Sequence, residues 1–366
     1  MSTLDYVIAK ENELKTTLYP RMDKDASLVH LDPYVLTRLD QPDKKIDNVV
    51  NVTLNAAGIL ANSIVAVLLK ATTQTVVQGM KNNRPMTDKE TSFIEAFLEA
   101  NYEQIDDILI KQNRAVLRAW LANHLVARGW TGACYFPYLE NGEYYPDLIN
   151  WDMRYGSWEY GRKELNWTGY RTPRSPSSIN FEYGTPETQD VSRGWVGEKG
   201  YLAHGEDLID IVTYLDDEKQ DIYIGGVHIK SMKHNWGRVP AIIQATPSGF
   251  MLRDKGYMSH EGESIFQFNR DLFGEQNRNA SIEQTLGMKS ILPPYTEELD
   301  NPGVGEPAPY PDKVATITEV PKGSTPKLLQ QPDLNNAAIQ GHTDINAAIG
   351  EGGLNSVDKG DVRMPS

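Results

Sequence analysis

Cysteine is nearly absent from this sequence of 366 residues, because Cys134 is the only one. A single cysteine excludes an intramolecular disulfide and any metal site built from several thiolates. Cys134 stands in the apolar run 133–139, where we expect an inert buried thiol rather than a nucleophile. The cysteine content therefore fits a protein that folds in a reducing compartment.

Positive charge is scarce as well. The chain has 36 Lys and Arg against 50 Asp and Glu, a formal net charge of -14. Tight electrostatic binding of nucleic acid requires clustered cations that neutralise phosphates. This balance disfavours a protein that grips DNA, but it does not exclude one that lets DNA pass through a hole lined with few charges.

Long apolar runs and targeting signals are also missing. The most apolar segment, 56–69, contains Asn62 and Ser63 and is shorter than the roughly 20 residues that span a bilayer. The N-terminal residues lack the basic start and apolar core of a signal peptide. We therefore expect no membrane insertion.

Catalytic motifs are the last class of feature that the sequence lacks. Gly303-Val-Gly305 lies in a proline-rich loop without a following helix or Lys-Ser/Thr, so it cannot cradle phosphate. His260-Glu261 has no second histidine, and Gly-x-Ser-x-Gly does not occur. The acidic run 216–218 is interpreted as a solvated hairpin turn. The sequence predicts no enzyme, no cofactor and no metal site.

The N-terminal third of the chain is rich in helical patterns. Residues 1–45 contain several prolines and are interpreted as short helices and loops on the surface. Apolar residues spaced by three and four predict a buried helix over 49–70. Thr87 and Glu90 form a capping box that begins a third helix. A further helix is predicted from about 103 to Arg128, ended by Gly129.

The middle of the chain changes to strand patterns. Aromatic and β-branched residues around the turn Asn141-Gly142 predict a hairpin of 133–139 with 143–145. A second hairpin is predicted from two further segments, 208–215 and 221–224, with another strand at 228–232 and a helical turn at 178–183. Helices followed by antiparallel strands indicate an α+β fold.

The C-terminal region has a helix, an excursion rich in proline and glycine at 293–326, and a weak returning helix at 334–349. The first helix is predicted at 261–287, with five acidic and two basic residues. Many of its other polar positions are Asn and Gln, which suit hydrogen bonding between helices in a ring or bundle. An ordinary surface helix is the simpler interpretation of this segment taken alone.

Taken in order, several stretches resemble a portal protein of a tailed bacteriophage, the head-to-tail connector family. One is Leu125-Val-Ala-Arg-Gly-Trp-Thr-Gly-Ala-Cys-Tyr-Phe-Pro-Tyr138, which is similar to the family's helix-to-strand entry into the wing domain. The others are 147–155 with 169–184, His234-Asn-Trp-Gly-Arg-Val-Pro240, and Gly262-Glu-Ser-Ile265 leading into the Asn-rich helix. The order of these elements carries the resemblance more than any single motif.

The resemblance implies a portal-like α+β architecture with five parts. These are a wing of helices and strands at 1–260, a first stem helix at 261–287, a small α/β clip at 288–331, a returning stem helix at 332–350 and the start of a tunnel loop at 351–366. Within the clip, strands are expected around Ser290–Leu292 and Val314–Val320.

The function implied by the resemblance is structural. Portal subunits form a closed ring, usually a dodecamer, at one capsid vertex of the virion, through which double-stranded DNA is packaged and later ejected. The expected partners are further copies of the chain, the large terminase, a head–tail connector protein, and the major capsid protein or scaffold. Assembly is expected in the host cytoplasm.

The resemblance also assigns candidate residues. Two cations of the tunnel loop are candidates for contact with DNA: Lys359 and Arg363. The candidates for docking the motor and connector at the clip are Glu297, Glu298, Asp300, Tyr310 and Lys313. The charged residues of the first stem helix that would line the channel wall are Arg270, Glu275, Arg278 and Glu283.

One departure from the family leaves alternatives open. Portal proteins continue with a further long helix and a crown, whereas this sequence stops at Arg363-Met-Pro-Ser366. It is either a short variant or a sequence that ends before the natural terminus. The alternative functions are another phage structural protein, such as a neck or baseplate subunit, and a cytosolic hydrolase with an unrecognised motif.

Overall fold

The computed structural model describes residues 2–38, 40–71, 75–81, 83–140, 142–183, 208–247, 261–291, 295–299, 317–321 and 336–351. Helices and strands are both present, in agreement with the predicted α+β class. The chain divides into a first unit, residues 1–26 with 65–265, and a second unit, residues 27–64 with 266–366. Segment 27–64 therefore groups with the C-terminal residues, although the sequence placed it in the range 1–260.

The first unit contains two antiparallel sheets. The smaller has three strands, with β3 (Trp130–Tyr135) between β6 (Leu148–Trp151) and β12 (Ala241–Ala245). The larger has five strands in chain order: β7 (Gly156–Tyr160), β8 (Leu165–Arg174), β9 (Ile209–Leu215), β10 (Lys219–Ile224) and β11 (Val227–Lys233). A short 3₁₀ helix, Met153–Tyr155, precedes β7, and α6 (Pro176–Tyr183) follows β8.

The predicted hairpins are present. In the β9–β10 hairpin, Leu215 faces Gln220, and Asp216 Oδ1 accepts the backbone N–H of Lys219 at 2.7 Å, so the acidic run is a hydrogen-bonded turn. In the other hairpin, β4 (Tyr138–Glu140) pairs with β5 (Glu143–Tyr145). Gly142 lies at φ 83°, a left-handed conformation that favours glycine.

The prediction of one continuous strand over 133–139 was wrong. β3 ends at Tyr135 and β4 begins at Tyr138. Phe136 N–H donates to the carbonyl of Asp147 at 2.8 Å, and Pro137 has no N–H with which to continue a ladder. The proline therefore separates two strands that belong to different sheets.

The prediction that residues 1–45 lie on the surface was also wrong for the first two helices, α1 (Thr3–Thr16) and α2 (Leu18–His30). Leu14, Leu18 and Met22 are fully buried and pack into the core that contains the tryptophans of the first unit. The prolines misled the prediction, because Pro20 occupies the first turn of α2, where no intrahelical N–H bond is required.

The helix that begins after Thr87 runs further than predicted. Thr87 and Glu90 form the expected capping box at the start of α4 (Asp88–Lys111), but the helix continues past the predicted break near residue 102. It stops before Asn113, which has φ 56°. The next helix, α5 (Leu117–Arg128), starts where Asp106 Oδ1 accepts the N–H of Leu117 at 2.8 Å.

Helix α3 (Ala56–Lys70) confirms residues 56–70 of the helix predicted over 49–70, whereas the predicted start at 49 and the predicted burial were wrong. Ile59 is 56% exposed and Val67 is 50% exposed, so the expectation of a buried helix holds for one side alone. A two-residue pair, β1 (Met80–Lys81) with β2 (Arg84–Pro85), lies between α3 and α4 in the chain.

The second unit contains a long helix, two strands and a returning helix. α7 (Arg270–Ile291) is followed by β13 (Tyr295–Leu299), by β14 (Ile317–Pro321) and by α8 (Asn336–Glu351), and the two strands pair in parallel. The returning helix was predicted at 334–349. The strand expected at 290–292 was wrong, because Ser290 and Ile291 complete α7.

The predicted helix start at 261 was wrong too, because α7 begins at Arg270. Gly262 has φ 63°, which is outside the helical region. The next residue, Glu263, is buried, and its Oε1 lies 3.5 Å from Nη1 of Arg21. Two of the five acidic residues counted in the predicted helix, Glu261 and Glu263, therefore precede it.

Candidate functional site

In the second unit, α7 and α8 overlap the ranges predicted for the two stem helices, and these two helices run antiparallel. Two side-chain contacts join them, Gln276 Nε2 to Asn346 Oδ1 at 2.6 Å and Glu283 Oε1 with His342 Nδ1 at 2.6 Å. Asn269, the residue before α7, adds a third contact, because its Nδ2 donates to Ile349 O of α8 at 3.2 Å. As residue numbers rise along α7 they fall along α8. The excursion between the helices begins and ends on the same end of the pair.

A polar stripe on another side of α7 binds an extended segment of the same unit. Three backbone N–H groups at alternate positions donate to three side chains spaced by four: Val50 to Thr285 Oγ1 at 2.9 Å, Val52 to Ser281 Oγ at 2.9 Å, and Leu54 to Asn277 Oδ1 at 2.8 Å. Four residues of helix rise about 6 Å, and two residues of strand rise about 6.6 Å. The two repeats therefore stay in register over three contacts.

The same extended segment supports a second backbone stretch. Asn51 Oδ1 accepts the N–H of Leu36, and Thr53 Oγ1 accepts the N–H of Tyr34, both at 2.8 Å. The side chains of Asn51 and Thr53 thus accept backbone N–H groups that the carbonyls of a neighbouring strand would accept in a sheet. Segment 49–54 therefore joins α7 on one side and residues 34–36 on the other through hydrogen bonds between backbone and side chains.

This stripe corrects the interpretation for Asn277, whereas Gln276 does make the expected hydrogen bond between helices, to Asn346 of α8. The side-chain oxygen of Asn277 accepts the backbone N–H of Leu54 in the same chain, rather than a hydrogen bond from a neighbouring helix. The sequence carries a signal that could have found the contact: Val50-Asn51-Val52-Thr53-Leu54 alternates apolar and polar residues, which indicates a strand rather than the start of a helix.

The four predicted channel-wall residues do not share one side of α7. At about 100° per residue, Arg270, Glu275, Arg278 and Glu283 spread over more than half of the helix circumference. Glu275 is exposed, whereas Glu283 contacts His342 of α8. Burial raises the pKa of Tyr34, with Arg278 opposing and Glu275 adding to the shift, which places both charges beside that phenol.

The outward side of α7 mixes charge with apolar atoms. Asp271 and Glu275 are exposed, and Arg278, Ile282 and Leu286 follow at intervals of three and four with partial exposure. These five residues lie within about 100° of one another on the helix. This side of α7 is distinct from the polar stripe and from the side that contacts α8, and it includes Glu275 and Arg278, two of the four residues chosen from the sequence.

The predicted docking and tunnel residues remain predictions. Glu297 and Glu298 lie in β13, in register with Glu319 and Val320 of β14. The others lie outside the described residues: Asp300, Tyr310, Lys313, Lys359 and Arg363.

The first unit contains a cavity of about 320 Å³. Its walls include aromatic side chains and Cys134, and its charged side chains include Lys230 and the ion pair of Arg174 with Glu182. Burial raises the pKa of Tyr183 to about 12, with the nearby Glu182 carboxylate adding to the shift. These groups provide neither an activated nucleophile nor a poised general base at neutral pH.

Cys134 should not react with a thiol reagent while the protein is folded. Its side chain is 1% exposed, its Sγ lies 3.2 Å from the carbonyl of Pro240, and burial raises the pKa of the thiol. Because the thiolate is the reactive form, we expect the reaction with Ellman's reagent at pH 8 to be at least about 100-fold slower than in guanidinium chloride. Rapid labelling of the native protein would contradict this burial.

Metal-binding clusters and membrane-spanning helices are both absent from the described part of the chain. No cluster of three or more His, Cys, Asp or Glu in the described part of the chain is arranged to hold a metal ion. Among the helices that the structure describes, none is both long and apolar enough to cross a membrane. No family model matches the sequence, and no curated protein matches it either.

Proposed function

We propose that this protein is a portal-type subunit, a structural protein that forms a ring at a capsid vertex and conducts double-stranded DNA during packaging and ejection. The observation that carries the proposal is the helix, strand, strand, helix order of the second unit, with antiparallel helices and paired strands between them. The resemblance implies this order for a stem, a clip and a returning stem.

The charge of the helix pair supports a channel wall that does not bind its cargo. Within its observed bounds α7 has three acidic and three basic residues, so the helix is balanced rather than acidic as its predicted bounds suggested. α8 has two acidic residues and no Lys or Arg. Since each neutralised phosphate adds affinity and salt dependence, a surface without excess cations favours sliding of DNA.

The partners follow from the same proposal. The clip strands would dock the large terminase during packaging and a head–tail connector afterwards, and the first unit, as the wing, would contact the major capsid protein or scaffold. The protein would act in the virion after assembly in the host cytoplasm. It would need no cofactor and perform no catalysis of its own.

Electron microscopy of the purified protein tests the proposal. We expect closed rings with a central channel wide enough for duplex DNA, because a portal must surround its cargo. A protein that stays monomeric over the full range of protein concentration and salt would overturn the proposal. A neck subunit could also form rings, so binding of purified large terminase to the ring provides the control that separates the two classes.

A further inference from the structure

The cavity of the first unit lies between its two sheets. Side chains at alternate positions of a strand share one face, and one face of the five-stranded sheet supplies Thr213 of β9 and Met232 of β11 to the wall. The three-stranded sheet supplies Cys134 and Trp151, and the end of α6 supplies Tyr183. The volume of about 320 Å³ falls within the range of pockets that bind small molecules, about 300–1,000 Å³.

Much of this wall is apolar. Trp151 from one sheet stacks on Tyr170 from the other, with ring centroids 4.9 Å apart and 9° between the ring planes. Ile211 and Ile222 add aliphatic surface from β9 and β10. Apolar atoms that face an open space lack dispersion partners on that side, and a hydrocarbon group that entered the cavity would supply them while leaving water itself. The wall therefore suits the apolar part of a ligand.

Several polar side chains of the wall have no hydrogen-bond partner among the described residues: Thr172, Thr213, Gln220 and Lys230. Two of them lie on one row across the five-stranded sheet. In the strand register, Lys230 of β11 faces Ile222 of β10, and Ile222 faces Thr213 of β9. A few unpaired polar groups in a largely apolar cavity are the usual means by which a binding site orients its ligand. Ammonium and hydroxyl groups donate hydrogen bonds, so this row favours a ligand end that accepts them.

The charged side chains of the wall leave one cation in excess. Arg174 forms an ion pair with Glu182, whereas Lys230 forms none with any residue in the described ranges. Lys230 is exposed, so its aliphatic stem lines the cavity while its ammonium group stays hydrated. A single negative charge placed at this ammonium group stays near water and is not left unpaired in an apolar interior. The cavity therefore fits an anion with one charge.

We propose that this cavity binds an amphipathic monoanion, a carboxylate on an apolar body of the medium-chain fatty acid class. The carboxylate would accept hydrogen bonds from Lys230 at the solvent side, and the hydrocarbon would lie between the sheets against Trp151 and Ile222. The hydroxyl of Thr213, on the same row as Lys230, would be the next donor along the wall. Every residue of the site belongs to the first unit. Binding therefore does not depend on ring formation, and it goes beyond the proposed structural function.

Isothermal titration calorimetry with two ligands of equal chain length tests the site: decanoate, an anion, and decylammonium, a cation. The folded wild-type protein should bind decanoate at least about 10-fold more tightly, because the ammonium group of Lys230 attracts one head group and repels the other. Adsorption to the surface of a chain with a net charge of -14 would give the opposite order. Lys230→Glu should reverse the order, so that decylammonium binds more tightly than decanoate.

The matched control is Lys233→Glu, which makes the same change on the opposite face of β11 and should keep the wild-type order. Thr213→Phe places a ring inside the cavity and should weaken the binding of both ligands at least about 10-fold, because packed interiors leave no spare room. Circular dichroism confirms the folding of each variant. Lys230 is exposed, so its variant keeps the test decisive even where Thr213→Phe does not fold.

Three outcomes would contradict the site. Lack of saturable decanoate binding to the wild-type protein would overturn it. Unchanged decanoate binding by folded Thr213→Phe would place the ligand elsewhere and overturn it as well. An unchanged order in Lys230→Glu would overturn the pairing of the carboxylate with Lys230. A wild-type protein that binds decanoate as expected but forms no rings would overturn the proposed function alone and leave this site standing.

Discussion

Replacing Arg171 with Met should destabilise the first unit by about 3–5 kcal/mol, the range measured when one partner of a buried ion pair is removed. Arg171 on β8 is the cation between two buried carboxylates. Its Nη2 lies 2.7 Å from Glu11 Oε2, and its Nη1 lies 3.0 Å from Asp210 Oδ2, with both carboxylate side chains at most 8% exposed. The substitution leaves two negative charges facing each other in the interior.

Equilibrium unfolding in urea measures the effect. The matched control is Arg162→Met, which removes an exposed arginine of the β7–β8 turn and should change stability by less than about 0.5 kcal/mol. Adding Glu11→Gln and Asp210→Asn to the Arg171→Met variant should recover most of the loss, because the uncompensated charges are gone. A triple variant as unstable as the single one would show that packing of the arginine, rather than its charge, holds α1 against the sheet.

Much of the local structure could be predicted because short-range chemistry decides it. Gly142 in a left-handed turn specifies a hairpin whatever lies around it. Thr87 and Glu90 specify a helix start by satisfying each other's backbone groups. The strands at 208–215 and 221–224 could be predicted from their aromatic and β-branched residues, although β9 is buried on both faces. In these places local preference and tertiary contact agree.

The predictions were wrong where contacts between residues far apart in the sequence override local preference. Pro20 looks like a breaker but sits in the first turn of α2, whose burial depends on tryptophans more than 100 residues away. Gly262 at φ 63° and the pairing of Glu263 with Arg21 accompany the non-helical start of the predicted helix, and neither is visible as a helical pattern. The break between α4 and α5 depends on the carboxylate of Asp106, which a periodicity of apolar residues does not register.

For the candidate site, too, the local features could be predicted and the long-range ones could not. The helix, excursion and returning helix could be predicted from apolar spacing and proline content, since both features are local. The choice of Arg270, Glu275, Arg278 and Glu283 as one wall could not, because it assumed that every charged residue of a helix faces the same way. The exposed side of α7 is determined by two elements that pack on it, α8 and segment 49–54, and the helical pattern of α7 alone does not reveal where they pack.

The polar stripe of α7 provides the second large effect. Asn277→Ala, Ser281→Ala and Thr285→Val together remove the acceptors for three backbone N–H groups of the extended segment. Leaving an N–H without an acceptor costs about 1–3 kcal/mol where it is buried. Because the three donor residues, Val50, Val52 and Leu54, are half-buried, we expect a total loss of about 3 kcal/mol in the stability of the second unit.

Hydrogen exchange gives a sharper test than stability alone, because the segment donates only at alternate positions. In the triple variant the amides of Val50, Val52 and Leu54 should lose at least about 30-fold in protection, while those of Asn51 and Thr53 change little. The matched control is Asn279→Ala with Gln284→Ala, which removes two polar side chains of α7 that lie off the stripe. Equal loss of protection at all five amides would mean that the segment detaches as a whole, and that contacts other than these three bonds hold it on the helix.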